Sequence, residues 1–297
     1  MGMRYDRSPD TGIGAGFVKA GLMALVYAEA AGTGVDRRVH ENSARVLIPQ
    51  TLIQTRRILL KWARDPTVII EVLVLPVLFL LTLEIVLGHA VSQASGHSAL
   101  YGTVPLNTLA AAINGSAVGA IGLIGERDDG LLRRLWVVPV HRASGICSRI
   151  AAEMVRIMIT TIVVLAAGVV LGFRFHQGVL ASLVWLAIPL IFGLALATLV
   201  TTVAWYAAKN FLLEAITLVH LLAILYSTGF LPVDQFPKWI QPVVAHQPLS
   251  YAIDAMRGLS LGGPVRWPMI ATLLWAGGTA AICIVPTLVG YRKASTR

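Results

Sequence analysis

Few residues of this chain could do chemistry, and most of those lie inside long apolar stretches. The ionisable residues of the apolar stretches are Glu71, Glu84, Glu153, Arg156, Glu214 and His220. A charge in mid-membrane costs about 2.5–3.5 kcal/mol on insertion scales, so each needs a partner, water or a position near a helix end. Glu153 and Arg156 stand three residues apart, a spacing that predicts a local ion pair on a helix. His220 is close to mid-stretch and is either a packing histidine or part of a transport path.

The signatures of nucleotide hydrolysis and of zinc-dependent hydrolysis are missing from the sequence. No lysine follows a glycine, so there is no P-loop, and no HExxH pattern occurs. The two cysteines, Cys147 and Cys283, stand in apolar surroundings and predict neither a disulfide framework nor a metal cage. We therefore expect no catalytic residue, no metal ligand and no cofactor bound by this chain.

The composition excludes a water-soluble enzyme. Of 297 residues, 56% are hydrophobic and only 13% are charged, with a mean hydropathy of +0.74. Soluble domains carry about 25% charged residues. The net charge of +9 does not indicate nucleic-acid binding, because the basic residues lie between apolar runs and not on one patch. This distribution is typical of a multi-pass membrane protein.

Six stretches are long and apolar enough to cross a bilayer, which takes about 20 residues of helix. They cover residues 68–87, 103–124, 150–173, 179–204, 211–230 and 269–289. The sequence therefore predicts an all-α integral membrane protein with six transmembrane helices. The second stretch is apolar mainly through alanine and glycine, so we expect it to pack on protein and not on lipid.

Lysine and arginine are unevenly distributed between the segments that join these stretches. With a cytoplasmic N-terminus, the inner segments hold 20 of the 24 basic residues and the outer segments hold four. An excess of Lys and Arg marks the cytoplasmic loops of membrane proteins. We therefore expect a location in the plasma (inner) membrane, with both termini in the cytoplasm. Residues 1–45 are expected to form a poorly ordered cytoplasmic extension.

Residues 46–66 predict a basic amphipathic helix before the first stretch. Arg57, Lys61 and Arg64 fall with Gln54 on the polar side of a helical wheel, and Trp62 falls on the apolar side. Such a helix lies in the inner membrane surface with its cations near lipid phosphates. It is either an ordinary juxtamembrane anchor or an element that couples the membrane helices to a partner.

The cytoplasmic loop 126–142 combines charged residues with an apolar ridge. The residues of this loop that could contact a partner are Glu126, Arg127, Gly130, Leu131, Leu135, Trp136 and Pro139. The ridge suits a short amphipathic helix that ends before the proline. A ridge too short to cross a membrane needs lipid or a groove on a partner protein. An ordinary solvated loop is the alternative interpretation.

The outer segment 231–263 is divided by prolines into short helices, one around residues 238–244 and one over residues 249–259. Its candidate functional residues are Phe236, Pro237, Trp239, Pro248, Tyr251 and Arg257. The segment either dips into the outer leaflet as a re-entrant hairpin or lies flat as a surface loop. Elsewhere, the spacings Gly115–Gly119 and Gly168–Gly172 favour close helix packing inside the bundle.

These segments resemble those of ABC-2 type transporter permeases, the membrane subunits of bacterial ABC exporters. The loop matches the family pattern at Glu126, Arg127, Gly130, Leu135 and Pro139, and the outer segment matches it at Pro237, Trp239, Pro248, Tyr251 and Arg257. The resemblance covers about residues 46–297. Within the family the chain is similar to the daunorubicin/doxorubicin-resistance permeases, which include those of a mycobacterial exporter linked to the lipid phthiocerol dimycocerosate.

The resemblance implies a type V exporter-like permease that pairs with a homologous second permease, as a heterodimer. It further implies two copies of a separate ABC ATPase, which would use ATP and Mg²⁺. Loop 126–142 would then couple to that ATPase, residues 46–66 would be the interface helix, and residues 231–263 would help to close the outer exit. The implied cargo is a hydrophobic or amphiphilic molecule, such as phthiocerol dimycocerosate or an anthracycline-type drug.

Two other classes of function stay open on the sequence. An ion-coupled secondary transporter of amphiphiles would use buried Glu or His residues as a proton relay, with His220 as the candidate. A non-transporting scaffold for a lipid-synthesis complex is the second class. An ABC exporter differs from an ion-coupled transporter in that its transport depends on an ATPase partner. It differs from a scaffold in that deletion of the protein stops the flux of substrate.

Overall fold

The computed structural model of the chain describes residues 44–128, 144–206 and 209–296. In these ranges the chain forms helices joined by short turns, and none of their residues lies in a β-strand. The α-helices, numbered in chain order, are α1 Ala44–Ala63, α2 Pro66–Ile69, α3 Leu75–Ser95, α4 Leu100–Asp128, α5 Ser144–Leu171, α6 Gly178–Tyr206, α7 Lys209–Leu225, α8 Gln241–His246, α9 Pro248–Leu261 and α10 Arg266–Thr296. The predicted all-α class is confirmed for these ranges. Residues 1–43 lie outside them, so the predicted N-terminal extension stays a prediction.

Asp65 separates α1 from the first membrane helix and caps that helix. Its carboxylate accepts a hydrogen bond from the backbone N–H of Thr67 at 3.0 Å, and Pro66 occupies the first turn, where no N–H is needed. The ring of Pro66 disfavours helical backbone angles at the preceding residue, Asp65, which is extended. For this reason α1 does not continue into α2.

The first membrane helix contains one widened turn. A π-helical turn over Ile70–Val74 joins α2 to α3, and the N–H of Leu75 bonds to the carbonyl of Ile70. Pro76 follows Leu75 and has no backbone N–H that could donate to the carbonyl four residues before it. One π turn accommodates the missing bond, and such turns are frequent at functional sites. Glu71 lies on this turn.

Five helical segments are long and apolar enough to cross a membrane, as judged by length and composition. They are Pro66–Gln93, Leu100–Gly122, Cys147–Leu171, Val179–Ala204 and Arg266–Pro286. Five of the six predicted stretches are therefore confirmed as helices of membrane-crossing length. The predicted stretch 211–230 differs, because α7 has 17 residues and ends at Leu225.

The bounds predicted for that stretch are wrong at the C-terminal end, because polar side chains replace the helical hydrogen bonds there. Ser227 Oγ donates to the carbonyl of Ile224 at 2.8 Å. Gln247 Nε2 donates to the carbonyls of Tyr226 at 2.6 Å and Ala223 at 3.3 Å. Side chains that satisfy these carbonyls compete with a further turn of helix. The chain therefore turns at residues 226–230 and enters the outer segment.

Helix α4 is the centre of the bundle. It packs on α3, α5, α6, α7 and α9. In the most apolar part of Leu100–Gly122, 67% of the residues are buried inside the structure. The corresponding share for Pro66–Gln93 is 17%. This confirms the expectation that the alanine- and glycine-rich stretch packs on protein.

Helix α9 of the outer segment lies inside the bundle. It packs on α4, α6 and α10, and Leu249, Ile253 and Met256 are fully buried. The predicted helix over residues 249–259 is confirmed and runs one to two residues further at each end. The helix predicted around residues 238–244 begins later, at Gln241, as α8. The burial of α9 favours a re-entrant segment over a flat surface loop.

Candidate functional site

Glu153 and Arg156 form a buried ion pair on α5. Arg156 Nη2 donates to Glu153 Oε2 at 2.7 Å, and the two side chains are 5% and 7% exposed. The local pair expected from the spacing of these residues is confirmed. Removing either partner alone would leave a buried charge without compensation, which is costly in a low-dielectric interior.

Glycines of α4 make room for this ion pair. A Cβ on Gly115 would overlap the guanidinium of Arg156, and a Cβ on Gly119 would overlap the carboxylate of Glu153. The predicted use of this glycine spacing for packing inside the bundle is confirmed, since it lets α4 approach α5.

Helix α1 is attached to the beginning of α5 by polar side chains. Gln54 Nε2 donates to Ser144 Oγ at 3.2 Å, and Ser148 Oγ donates to Gln54 Oε1 at 3.3 Å. Thr55 Oγ1 donates to the carbonyl of Ser148 at 3.3 Å. Gln54, which falls on the polar side of the helical wheel, therefore bonds to α5. A helical wheel sorts residues by polarity alone and misses the polar partners that a neighbouring helix supplies.

Trp62 connects α1 to the ion pair. The guanidinium carbon of Arg156 lies 5.1 Å from the centre of the Trp62 ring, within the range of a cation–π interaction. The other predicted interface-helix residues, Arg57, Lys61 and Arg64, are exposed. Arg156 consequently contacts α1 and α4 in addition to its own helix.

A cavity of about 760 Å³ lies beside α4, between α3 and α7. Apolar residues such as Leu75, Phe79 and Leu221 form most of its wall. Its polar lining residues are Glu71, Asn107, Asn114, Arg156, Thr160, Thr217 and His220. An apolar cavity of several hundred Å³ with a few convergent polar groups is typical of small-molecule sites. His220, the predicted pathway residue, lies in this wall.

Two polar groups of the cavity have unfilled bonding capacity. The half-buried carboxylate of Glu71 makes no hydrogen bond or ion pair with any residue that the structure describes, although the charge of Arg156 acts on it from further away. His220 Nδ1 is buried and has no hydrogen-bond partner in the same ranges. Both groups can therefore form polar contacts with a molecule in the cavity.

The predicted coupling loop 126–142 is described only at its N-terminal end. Glu126 and Arg127 lie in the last turn of α4. The other predicted coupling residues, Gly130, Leu131, Leu135, Trp136 and Pro139, lie outside the described residues. The structure therefore shows what the loop is connected to: it leaves from α4 and returns to α5 at Ser144, beside α1.

Arg257 fixes α9 to the turn after α7. Its Nη1 donates to Asp254 Oδ1 at 3.1 Å, and its Nη2 donates to the carbonyl of Thr228. Burial raises the pKa of the Asp254 carboxyl, and the neighbouring guanidinium opposes that shift. Gly102 at the start of α4 has no room for a Cβ, which would overlap the carbonyl of Gly229. Asp254 and Thr228 were not singled out by the sequence, which showed only the arginine.

The remaining predicted residues of the outer segment differ in their surroundings. Trp239 is 76% exposed. Phe236 and Tyr251 are half-buried, and the Tyr251 ring meets His246 edge-on at 6.3 Å. Pro237 is exposed, whereas Pro248 begins α9. Arg257 is therefore the residue of this set that ties the segment to the bundle.

Residues 258–262 have the GxSxG spacing of serine hydrolases, but their geometry does not fit that chemistry. Ser260 lies within α9, is fully buried, and donates through Oγ to the carbonyl of Met256 at 2.6 Å. A nucleophilic serine stands exposed on a sharp turn between strand and helix. In the ranges that the structure describes, no cluster of His, Cys, Asp or Glu could hold a metal ion.

The sequence of this chain is similar to the sequences of known transporter proteins. Residues 49–261 match the family model described as ABC-2 type transporter. The chain is 53% identical over 256 residues to the probable doxorubicin resistance ABC transporter permease protein DrrC of Mycobacterium tuberculosis (strain CDC 1551 / Oshkosh), a match that covers 86% of this chain and 93% of that protein.

More distant relatives have similar names. The daunorubicin resistance ABC transporter permease protein DrrB1 of Streptomyces coeruleorubidus is 21% identical over 247 residues, which cover 83% of this chain and 87% of that protein. The doxorubicin resistance ABC transporter permease protein DrrB of M. tuberculosis (strain CDC 1551 / Oshkosh) is 29% identical over 199 residues, which cover 63% and 67%. By its family match and its 53% identity to a permease over 93% of that protein, this chain belongs to the ABC-2 type transporter family.

Proposed function

We propose that this chain is the membrane subunit of an ATP-driven exporter that moves a hydrophobic or amphiphilic molecule out across the plasma membrane. The observation that carries the proposal is 53% identity to a doxorubicin resistance permease over almost its whole length. The cargo is an anthracycline-type drug, a complex envelope lipid such as phthiocerol dimycocerosate, or both. The largely apolar cavity beside α4 supports a cargo of this kind.

In this proposal the chain crosses the membrane six times and has both termini in the cytoplasm. Helix α7 is the additional crossing, beside the five long helices. Its 17 residues span about 25 Å at 1.5 Å per residue, slightly less than a hydrocarbon core of about 30 Å. Local thinning of the bilayer accommodates such a mismatch at small cost. The strong bias of lysine and arginine supports this orientation.

The proposed assembly contains a homologous second permease and two copies of an ABC ATPase. ATP and Mg²⁺ bind to the ATPase, because this chain has no P-loop. Loop 126–142 docks on the ATPase, and α1 lies along the inner membrane surface among the lipid headgroups. ATP binding can shift the permease only through different contacts with its two states.

A connected set of contacts supports the coupling role. The loop returns to the membrane at Ser144, whose hydroxyl accepts a hydrogen bond from Gln54 of α1. Three turns further along α5, Arg156 contacts Trp62 of α1 and lines the cavity. A shift of the loop end therefore moves α5 and α1 together and changes the cavity wall. At the outer side, α9 and its Arg257 hold the exit closed.

Co-purification tests the proposal. The tagged chain, expressed in its native host and extracted in mild detergent, should retain a second permease and a P-loop ATPase that hydrolyses ATP. Leu135→Asp should abolish ATPase retention and export, because it places a charge on the apolar ridge, while the variant still inserts in the membrane. Leu135→Met keeps the ridge apolar and is the matched control. Normal export by Leu135→Asp would show that the ridge does not couple to the ATPase.

The second candidate is an ion-coupled transporter of amphiphiles. His220 supports it, because its ring lies in the cavity wall with an unpartnered Nδ1. Recovery of the chain without any ATPase, together with loss of transport in His220→Gln, would favour this candidate over the exporter.

A further inference from the structure

The cavity between α3 and α7 carries a charge that its own residues do not balance. Two acidic residues and one basic residue stand at or beside it: Glu71, Glu153 and Arg156. Arg156 is already engaged by Glu153 at 2.7 Å, so the pair is neutral as a unit. Glu71 makes no ion pair with any described residue, and the three groups together have a formal charge of −1.

The local geometry presents the Glu71 carboxylate to the cavity. The π turn over Ile70–Val74 changes the direction of the residues before Pro76, and Glu71 and Val72 both line the cavity. Leu75 and Phe79 continue the wall along the next turns, with Ile216 and Leu221 on α7 opposite. A carboxylate therefore lines a largely apolar cavity of about 760 Å³.

We propose that this cavity is a binding site for a lipophilic cation, with Glu71 as the counter-ion of a protonated amine and the α3 and α7 side chains around its apolar body. The inference rests on the exporter function proposed above and selects a class within its cargo, cationic amphiphiles over uncharged wax-like lipids. An uncharged lipid leaves the carboxylate unpaired in an apolar site, whereas an ammonium group compensates it.

The remaining polar groups of the cavity fit the same ligand class. Asn114 and the His220 ring can accept or donate hydrogen bonds to hydroxyl or carbonyl groups on the cargo. Asn107 is already used, since its Nδ2 donates to the carbonyl of Pro76 and fixes the helix beside the π turn. The site thus combines one charge, a few adaptable polar groups and a large apolar surface.

Binding to a matched pair of probes tests the inference without any ATPase. The probes are a long-chain diamine with a dansyl group on one end and the same molecule acetylated on its free amine. The two share one apolar body and differ in a single positive charge at pH 7, where an alkyl amine is protonated. The purified chain is placed in nanodiscs of zwitterionic lipid, and saturable dansyl emission is measured against empty discs.

Wild-type protein should bind the amine roughly tenfold or more tighter than its acetylated form, as expected for a charge-assisted bond in an apolar site. Glu71→Gln should lose most of this preference. Glu84→Gln is the matched control, because Glu84 lies on the same membrane helix but not among the residues that line the cavity. It should keep the preference.

Equal binding of the two probes by wild-type protein would overturn the inference, as would an unchanged preference in Glu71→Gln or an equal loss in Glu84→Gln. Glu71→Asp distinguishes loss of the charge from a folding defect. It keeps the carboxylate and should therefore keep part of the preference for the amine. Co-purification of an ATPase with a chain that shows no preference for the amine would overturn the cavity assignment and leave the exporter function standing.

Discussion

The Glu153–Arg156 pair makes a quantitative prediction about stability. Both side chains are at least 93% buried and lie 2.7 Å apart on one helix. Arg156→Gln leaves the Glu153 carboxylate buried without its partner, which should lower the free energy of unfolding by about 3–5 kcal/mol. Glu153→Gln should cost about 1 kcal/mol less, because Arg156 retains the Trp62 ring at 5.1 Å.

The double variant separates the ion pair from other effects of the substitutions. Because one neutral amide replaces each charge, the double variant should be more stable than the sum of the single losses predicts, with a coupling energy of about 2 kcal/mol. The Asp254–Arg257 pair has the same i,i+3 spacing, but the Arg257 side chain is 23% exposed and the Asp254 side chain 34%. Its coupling energy should be only about 0.5–1 kcal/mol.

The assay is reversible unfolding in mixed micelles with increasing SDS, followed by tryptophan emission. The two pairs have equal spacing and differ in burial. A coupling energy for residues 153 and 156 no larger than that for residues 254 and 257 would refute the argument. So would a loss below about 1 kcal/mol in Arg156→Gln, since that would mean that the carboxylate is solvated or neutral without its partner.

Two further predictions concern packing of the bundle and are checked by thermal unfolding in detergent. Gly115→Ala should lower stability by about 1–3 kcal/mol because its Cβ displaces the Arg156 guanidinium, whereas Gly122→Ala on the same helix has free space and should stabilise by up to about 1 kcal/mol. Gln247→Leu should cost about 2–3 kcal/mol by leaving the carbonyls at the end of α7 without donors, and Gln247→Glu should not restore them because a carboxylate cannot donate. Equal effects of the two glycine substitutions, or an undisturbed melting temperature in Gln247→Leu, would contradict these assignments.

The sequence alone predicted the features that depend on local composition. Apolar runs predicted six membrane-crossing stretches, and five of these are helices of that length in the structure. The alanine- and glycine-rich run predicted the buried helix α4. The spacing of Glu153 and Arg156 predicted their ion pair. Each of these results follows from helix geometry and burial preference within one segment.

The sequence could not predict the features that depend on neighbouring helices. The helical wheel placed Gln54 on the polar side of α1, and only the structure shows that Ser144 and Ser148 of α5 are its partners. Glu71 was an isolated acid in an apolar run, and only the π turn before Pro76 and the gap beside α4 make it a cavity residue. The sequence signal for this site is the position of Glu71 shortly before Pro76, because prolines in membrane helices are linked to irregular helical turns.

The central claim, that transport by this chain is driven by ATP, is tested most directly in inverted membrane vesicles that contain the chain with its co-purified partners. Uptake of doxorubicin, or of the fluorescent long-chain amine, is followed by fluorescence with ATP, with a non-hydrolysable ATP analogue, and with ionophores that collapse the ion gradients. The exporter account predicts uptake that requires hydrolysable ATP and persists with ionophores present. Uptake that persists without ATP and stops with ionophores would contradict the account and identify an ion-coupled transporter.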